Sequence, residues 1–425
     1  MSSKSQLNVG YAEGVITPPL GISLGGYGFY LDRPAERVVD DLKVRALALE
    51  SGEDRALLVS VDLLGFTVDF SDQVRQSAAS RWELSREQVL LACTHTHSGP
   101  QTQPMPGLGE VDTGYLQHVH EAAVVACEAA IRDLRPARAF VVVQAVEPIG
   151  YNRTTGDFSA IDPHLRTLTF DRGSDRVFLL NYACHPVTLG PTREVSADWP
   201  GALIHQLEEA GNRAIFFQGF CGNIDPVVNL NHWAGGTLED VALYGELLAK
   251  RTLSPRRKPE EIESPNLTVR ERRMTVPLHV PARENLPSEA KEFLELNRHF
   301  PNADRFADEW LQIAQAKQAE AAAHPFVDNV PLQVLRLGPV SLLAVPGEVF
   351  SHYALRLQRD WGEHLFPLGY ANGNIGYLPP RDSFQDPADY ASHCAPKFYT
   401  VFQFDPSVED VILGEASRLL AESRR

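Results

Sequence analysis

Two histidines stand two residues apart, His95 and His97, in the octapeptide CTHTHSGP (Cys93 to Pro100). The apolar run Val89-Leu90-Leu91-Ala92 precedes them and reads as the end of a buried strand. Gly99 and Pro100 then turn the chain away. Alternate side chains of an extended segment point the same way. Both imidazoles are therefore expected to face one pocket at the mouth of a sheet, where they can hold a metal or hydrogen-bond within the loop.

Three further loops follow strand-like runs and present polar groups at the strand's carboxyl end, the usual place for a site in an open α/β sheet. NYACHPVTLG (Asn181 to Gly190) carries His185. QGFCGNIDP (Gln218 to Pro226) combines Gly219 and Gly222, which permit a tight turn, with Asn223 and Asp225. AVPGEVF (Ala344 to Phe350) places Glu348 after an apolar strand and a Pro-Gly turn, an expensive position for a carboxylate without a cation nearby. Two imidazoles and a carboxylate from separate strand ends suit a catalytic zinc, which keeps one position open for water. Such a metal polarises a carbonyl and acidifies water. No HExxH motif is present, nor a phosphate-binding loop or a dinucleotide fingerprint.

The elements that must carry these loops alternate between strand and helix, which predicts an α/β fold of mixed α+β layered sheets with flanking helices. Strands are expected at 56–62, 89–93, 139–146, 164–170, 177–182 and 214–218. Helices are expected at 115–134 and 201–210, with a polar one leading to Arg81. Residues 251–261 read as a charged surface connection, 332–337 and 340–345 as a hairpin about Gly338-Pro339, and the end of the chain as a helix after Asp405-Pro406-Ser407. Residues 285–324 are polar and rich in Ala and Glu, and read as a peripheral insertion of two helices. The chain is read as one domain, 1–425, containing that insertion.

Of 425 residues, 44% are hydrophobic and 22% charged, an ordinary globular balance. The formal net charge of −16 argues against nucleic acid and anionic membrane surfaces as general partners. No apolar stretch is long enough for stable membrane insertion, and the polar opening lacks the apolar core of a secretory signal. The five cysteines form no CxxC pair and are odd in number. The expectation is reduced thiols in a cytoplasmic protein. Cys93, Cys184 and Cys221 are then small packing residues rather than zinc ligands. A small-molecule substrate is the expected partner, with homo-oligomerisation left open.

Taken in order, THTHSGP, NYACHP with Ser196-Ala197-Asp198 after it, GNIDP and VPGE resemble the N-terminal catalytic domain of the neutral/alkaline non-lysosomal ceramidase family. Gly26-Tyr27-Gly28, the stretch Asp41 to Ala46, Asn152-Arg153, Asp162-Pro163 and YANGNIGYLPP (Tyr370 to Pro380) extend the resemblance over about residues 8 to 390. It implies a ceramidase-like fold in which His95, His185, Glu348 and Tyr377 ligate one Zn2+. It also implies that His97 lies near the metal water or faces substrate, that Arg153 can stabilise charge on a carbonyl oxygen, and that Asp198 orients His185.

The sequence departs from the family at the third loop. Ceramidases carry a serine there, in the form GDVSP, whereas this chain has Gly222-Asn223-Ile224-Asp225-Pro226. Serine chemistry is unavailable at that position, and Asp225 becomes the candidate base or hydroxyl acceptor. The chain is also read as lacking the family's C-terminal immunoglobulin-like domain and its secretion signal. The expected activity is hydrolysis of an amide (N-acyl) bond in a soluble substrate by metal-activated water, with catalytic His97, Arg153 and Asp225. Ester, lactone or glycosidic hydrolysis and a non-catalytic zinc scaffold are the alternatives.

Overall fold

The computed structural model describes residues 6–31, 33–105 and 110–424. Three five-stranded sheets carry the fold among these residues. The first runs Val89–Cys93, Asp54–Val61, Lys43–Ser51, Leu7–Val15, Arg135–Pro136. The second runs Arg213–Gln218, Arg176–Tyr182, His164–Asp171, Arg138–Ala145, Glu260–Glu261. The third runs Leu365–Leu368, Val340–Ala344, Phe326–Leu337, Leu267–His279, Gln403–Phe404. In each, the first two strands are parallel while the long central strands pair antiparallel. The mixed layers are those the alternating sequence pattern predicts.

The strand runs are apolar without interruption because both faces are covered. Along Asp54–Val61, Leu57, Val59 and Val61 face a core shared with the helices Thr113–Arg132 and Asp198–Glu209. Ala56 and Leu58 face the opposite way, into a core where all three sheets contribute: Leu90 from the first, Phe217 from the second, Leu342 and Phe366 from the third. The helices Ser351–Trp361 and Val408–Ser423 close the outer face of the third sheet. Burying a side chain such as Leu58 or Phe217 in this centre contributes about 1.5–3 kcal/mol. That rigidity fixes the strand ends from which the site loops leave.

Several expectations shift. Residues 251–261 are not simply a connection: the helix Leu238–Leu253 enters them and Glu260–Glu261 joins the second sheet edge. The inserted helices, Leu286–Asn297 and Ala303–Ala323, are less solvated than their composition suggests, since Phe293, Phe306 and Trp310 are buried. The 13-residue strand Leu267–His279 is masked in sequence by its arginines. Arg272 pairs with Glu415 and Glu422, and Arg273 with Asp72, so their charge is neutralised by neighbouring elements. No immunoglobulin-like sandwich occurs among the described residues.

Candidate functional site

The site forms where loops leave the carboxyl ends of these parallel pairs. Strand Val89–Cys93 ends before the two histidines, so alternation on an extended segment is not what aims them. Cys93 N–H donates to Tyr370 O at 3.1 Å, Thr94 N–H to Val61 O at 2.9 Å and His95 N–H to Leu63 O at 2.9 Å. His95 sits at φ +72°, a left-handed conformation uncommon outside glycine and concentrated at functional sites. The imidazoles still converge, with Nε2 of His95 and His97 3.0 Å apart.

Two miniature ladders place the other groups. Gly150–Asn152 pairs antiparallel with Ile224–Pro226, setting Asp225 opposite Tyr151 and delivering Arg153 beside it. Glu348–Val349 pairs parallel with Tyr377–Leu378, setting Glu348 directly beside Tyr377. Gly222 is required where these meet, because a Cβ there would stand 2.3 Å from Glu348 O.

Hydrogen bonds fix the proton positions. A carbonyl only accepts, so His95 Nδ1, 2.6 Å from Leu64 O, carries its proton, as does His185 Nδ1, 3.1 Å from Ile224 O. Both Nε2 atoms are then lone pairs when the rings are neutral. They face Glu348 Oε2 at 3.3 and 3.2 Å. Glu348 Oε1 accepts from the Tyr399 hydroxyl. Burial opposes its charge, but His95 and His185 hold the Glu348 carboxyl well below its ordinary value. Burial lowers the pKa of His95, while at His185 burial is outweighed by Cys221 and Glu348, which raise it to about 10. A cation taking the place of that proton would meet three acceptor atoms in a dry position. The donor set of imidazole nitrogen and carboxylate oxygen fits zinc, and backbone carbonyls fix the ring tautomers as in known zinc sites.

The nitrogens of His95, His97 and His185 all lie within 4.8 Å of one another, so proximity alone would make His97 the third ligand. Its environment differs. His97 Nδ1 is buried without a hydrogen-bond partner, whereas its Nε2 lies 3.0 Å from the His95 Nε2 lone pair and so carries the proton. Burial, then the neighbouring His95 and His185, hold its pKa well below the ordinary histidine value. His97 is a neutral ring whose Nε2–H faces His95 Nε2, and it lines the cleft.

Arg153 spans the remaining groups. It donates to Gly222 O at 2.8 Å and Tyr377 Oη at 2.9 Å, and approaches Asp225 Oδ1 at 3.3 Å. Burial opposes its charge, but Tyr377 and Asp225 raise its pKa well above the usual arginine value. Burial raises the Tyr377 phenol far above 10, with Arg153 pulling the other way. His97, Arg153, Asp225 and Tyr377 line one cleft of about 990 Å³.

Solved structures share this arrangement of elements. Neutral ceramidase from Pseudomonas aeruginosa superposes with a TM-score of 0.74 at 17% identity, covering 99% of this chain and 74% of that one. A ceramidase complexed with C2 gives 0.73 at 16% identity, covering 99% and 75%. The chain has the neutral ceramidase fold. No protein-family profile matches the sequence, and no curated protein matches it.

Within this ceramidase-like fold the seven sequence-identified residues, His95, His97, Arg153, His185, Asp225, Glu348 and Tyr377, form one connected cluster. Asp198 does not orient the His185 ring. It accepts from Thr188 N at 2.9 Å and Trp199 N at 2.7 Å, and so braces the backbone of the His185 loop. Sequence reasoning passed over Tyr399 and Tyr370, the latter stacked on His95 at 3.8 Å. Tyr370 opens the YANGNIGYLPP segment, whereas nothing around Tyr399 marks it. Gly21-Ile22-Ser23-Leu24-Gly25 has the spelling of a serine nucleophile elbow. Ser23 and Leu24 form only isolated bridges, with no strand-to-helix turn to expose the serine.

Proposed function

We propose that the protein is a zinc-dependent hydrolase of an amide bond in a soluble N-acyl substrate. The convergence of His95 Nε2, His185 Nε2 and Glu348 Oε2 carries this reading. Tyr377, beside Glu348 in the ladder, completes the set that would hold Zn2+. The ion would supply Lewis acidity and a lowered pKa for water. Water adds to the carbonyl carbon, the C–N bond breaks, and a carboxylate and an amine result.

The chain's own groups serve the remaining steps. Asp225, its Oδ1 braced by Arg153 and its side chain 4% exposed, accepts a proton from the attacking water. Arg153 presents fixed positive charge where negative charge develops on the carbonyl oxygen. His97 Nε2–H donates to that oxygen or to the departing nitrogen. Five buried free thiols support a reducing, cytoplasmic setting. No described helix is long and apolar enough to cross a membrane.

Asp225→Ala tests the reading. The variant is expected to keep its zinc and lose roughly 10²–10⁴-fold in kcat on short N-acyl amides. Zinc-loaded wild type with no turnover across N-acyl amides, esters and lactones would leave the scaffold alternative.

A further inference from the structure

The loop that delivers Asp225 also carries a thiol. Cys221 is fully buried and stands one residue before the tight turn at Gly222, whose N–H donates to Val349 O at 2.8 Å. That bond ties the turn to the short strand Glu348–Val349 and holds the thiol beside the convergence of His95, His185 and Glu348. Tyr377 lines the cleft and Cys221 does not, so the sulfur lies on the buried side of that point.

Free cysteines are commonly packing residues, and the sequence reads Cys221 as one. Its neighbours set it apart from the adjacent thiol. Cys184 donates to a backbone carbonyl, His185 O, at 3.7 Å. Cys221 Sγ instead lies 3.3 Å from Tyr370 Oη, and that hydroxyl lies 3.4 Å from His185 Nε2. The Tyr370 ring stacks on His95 at 3.8 Å, so the phenol is held against both histidines. Cys221 is itself close enough to the His185 ring to raise its pKa alongside Glu348.

Charge favours a thiolate in this position. A divalent cation held by two neutral imidazoles and one carboxylate leaves one positive charge in a dry place, which is costly, and a thiolate cancels it. Once the His185 lone pair is spent on the cation, Cys221 Sγ is the described partner left for the Tyr370 hydroxyl to donate to. A hydrogen bond to the charged form of a group stabilises that form.

We propose that Cys221 Sγ is a ligand of the metal, on the buried side of the ion, with its cleft side left to Tyr377, water and substrate. The S–H proton leaves for solvent as the metal–sulfur bond forms. A soft thiolate donor also sets the choice of metal, favouring zinc over calcium, magnesium and manganese, which prefer oxygen ligands. The inference rests on the zinc-site reading and adds a donor to it.

Spectroscopy detects the sulfur directly. The metal-free full chain is loaded with Co2+, and its metal content is checked by elemental analysis. Wild type is expected to show a near-ultraviolet thiolate-to-cobalt charge-transfer band. Cys221→Ser should lose the band and bind cobalt more weakly, whereas Cys184→Ser should keep it. X-ray absorption of zinc-loaded wild type, which needs no variant, should show a sulfur at about 2.3 Å from the ion. Metal bound without a sulfur, or a band that survives Cys221→Ser, overturns the proposal even where N-acyl amides are hydrolysed. A sulfur-bound metal without turnover of such amides supports the proposal and contradicts the hydrolase reading. Protein that takes up neither metal overturns both.

Discussion

Proton placement separates the histidines. His95 and His185 spend Nδ1–H on backbone carbonyls and offer Nε2 lone pairs, whereas His97 has no such acceptor. The same logic assigns Tyr399 a positioning role, since its hydroxyl holds Glu348 Oε1 and so aims Oε2 at both imidazoles. Tyr399→Phe is expected to weaken zinc affinity about 10–100-fold, in line with loss of a bond to a metal ligand. Competition with a chromogenic chelator measures this, and an unchanged affinity would remove Tyr399 from the site. The histidines, Glu348 and Asp225 are legible in sequence because each lies just beyond an apolar run at a strand's end. Tyr377 is legible only through resemblance. Tyr399 is not, because its significance lies in a contact with a residue 51 positions away that no local pattern marks.

Short ladders and tight turns convert strand ends into a site. Gly26 shows the tolerance: at φ +108°, a Cβ there would lie 2.6 Å from His97 Cγ. Gly26→Ala is expected to displace the His97 ring and destabilise the fold by about 2 kcal/mol. Thermal unfolding and turnover measured together check this, and a variant equal to wild type in both would contradict it. At this scale the sequence is informative about strands and weaker about the loops that leave them. The apolar run marks the strand 89–93 at both ends, yet the chain beyond it turns at His95 instead of remaining extended. The strand Leu267–His279 escapes notice because partners that neutralise its arginines come from distant elements.

The three sheets share a central core, and the inserted helices Leu286–Asn297 and Ala303–Ala323 pack on the N-terminal loop through Phe29, Phe293 and Phe306. We propose on this basis that residues 1–425 unfold as one domain, with 285–324 as its insertion and part of the cleft wall. Calorimetry should give a single transition. A chelator should lower its midpoint and added zinc restore it, because a ligand bound only to the native state at 100 times its Kd adds about 2.7 kcal/mol. Two separate transitions, or a midpoint indifferent to chelation, would contradict this. Ceramidase architecture is readable as an ordered set of motifs although identity to the solved neutral ceramidase is 17%.

The most direct measurement is elemental analysis of purified wild type against His95→Ala and Glu348→Ala. The account predicts about one zinc per chain in wild type, as expected of a single mononuclear site with such a ligand set, and loss of that zinc in both variants. Wild-type protein without zinc after zinc is supplied, or variants that retain it, would contradict the site and with it the hydrolytic mechanism.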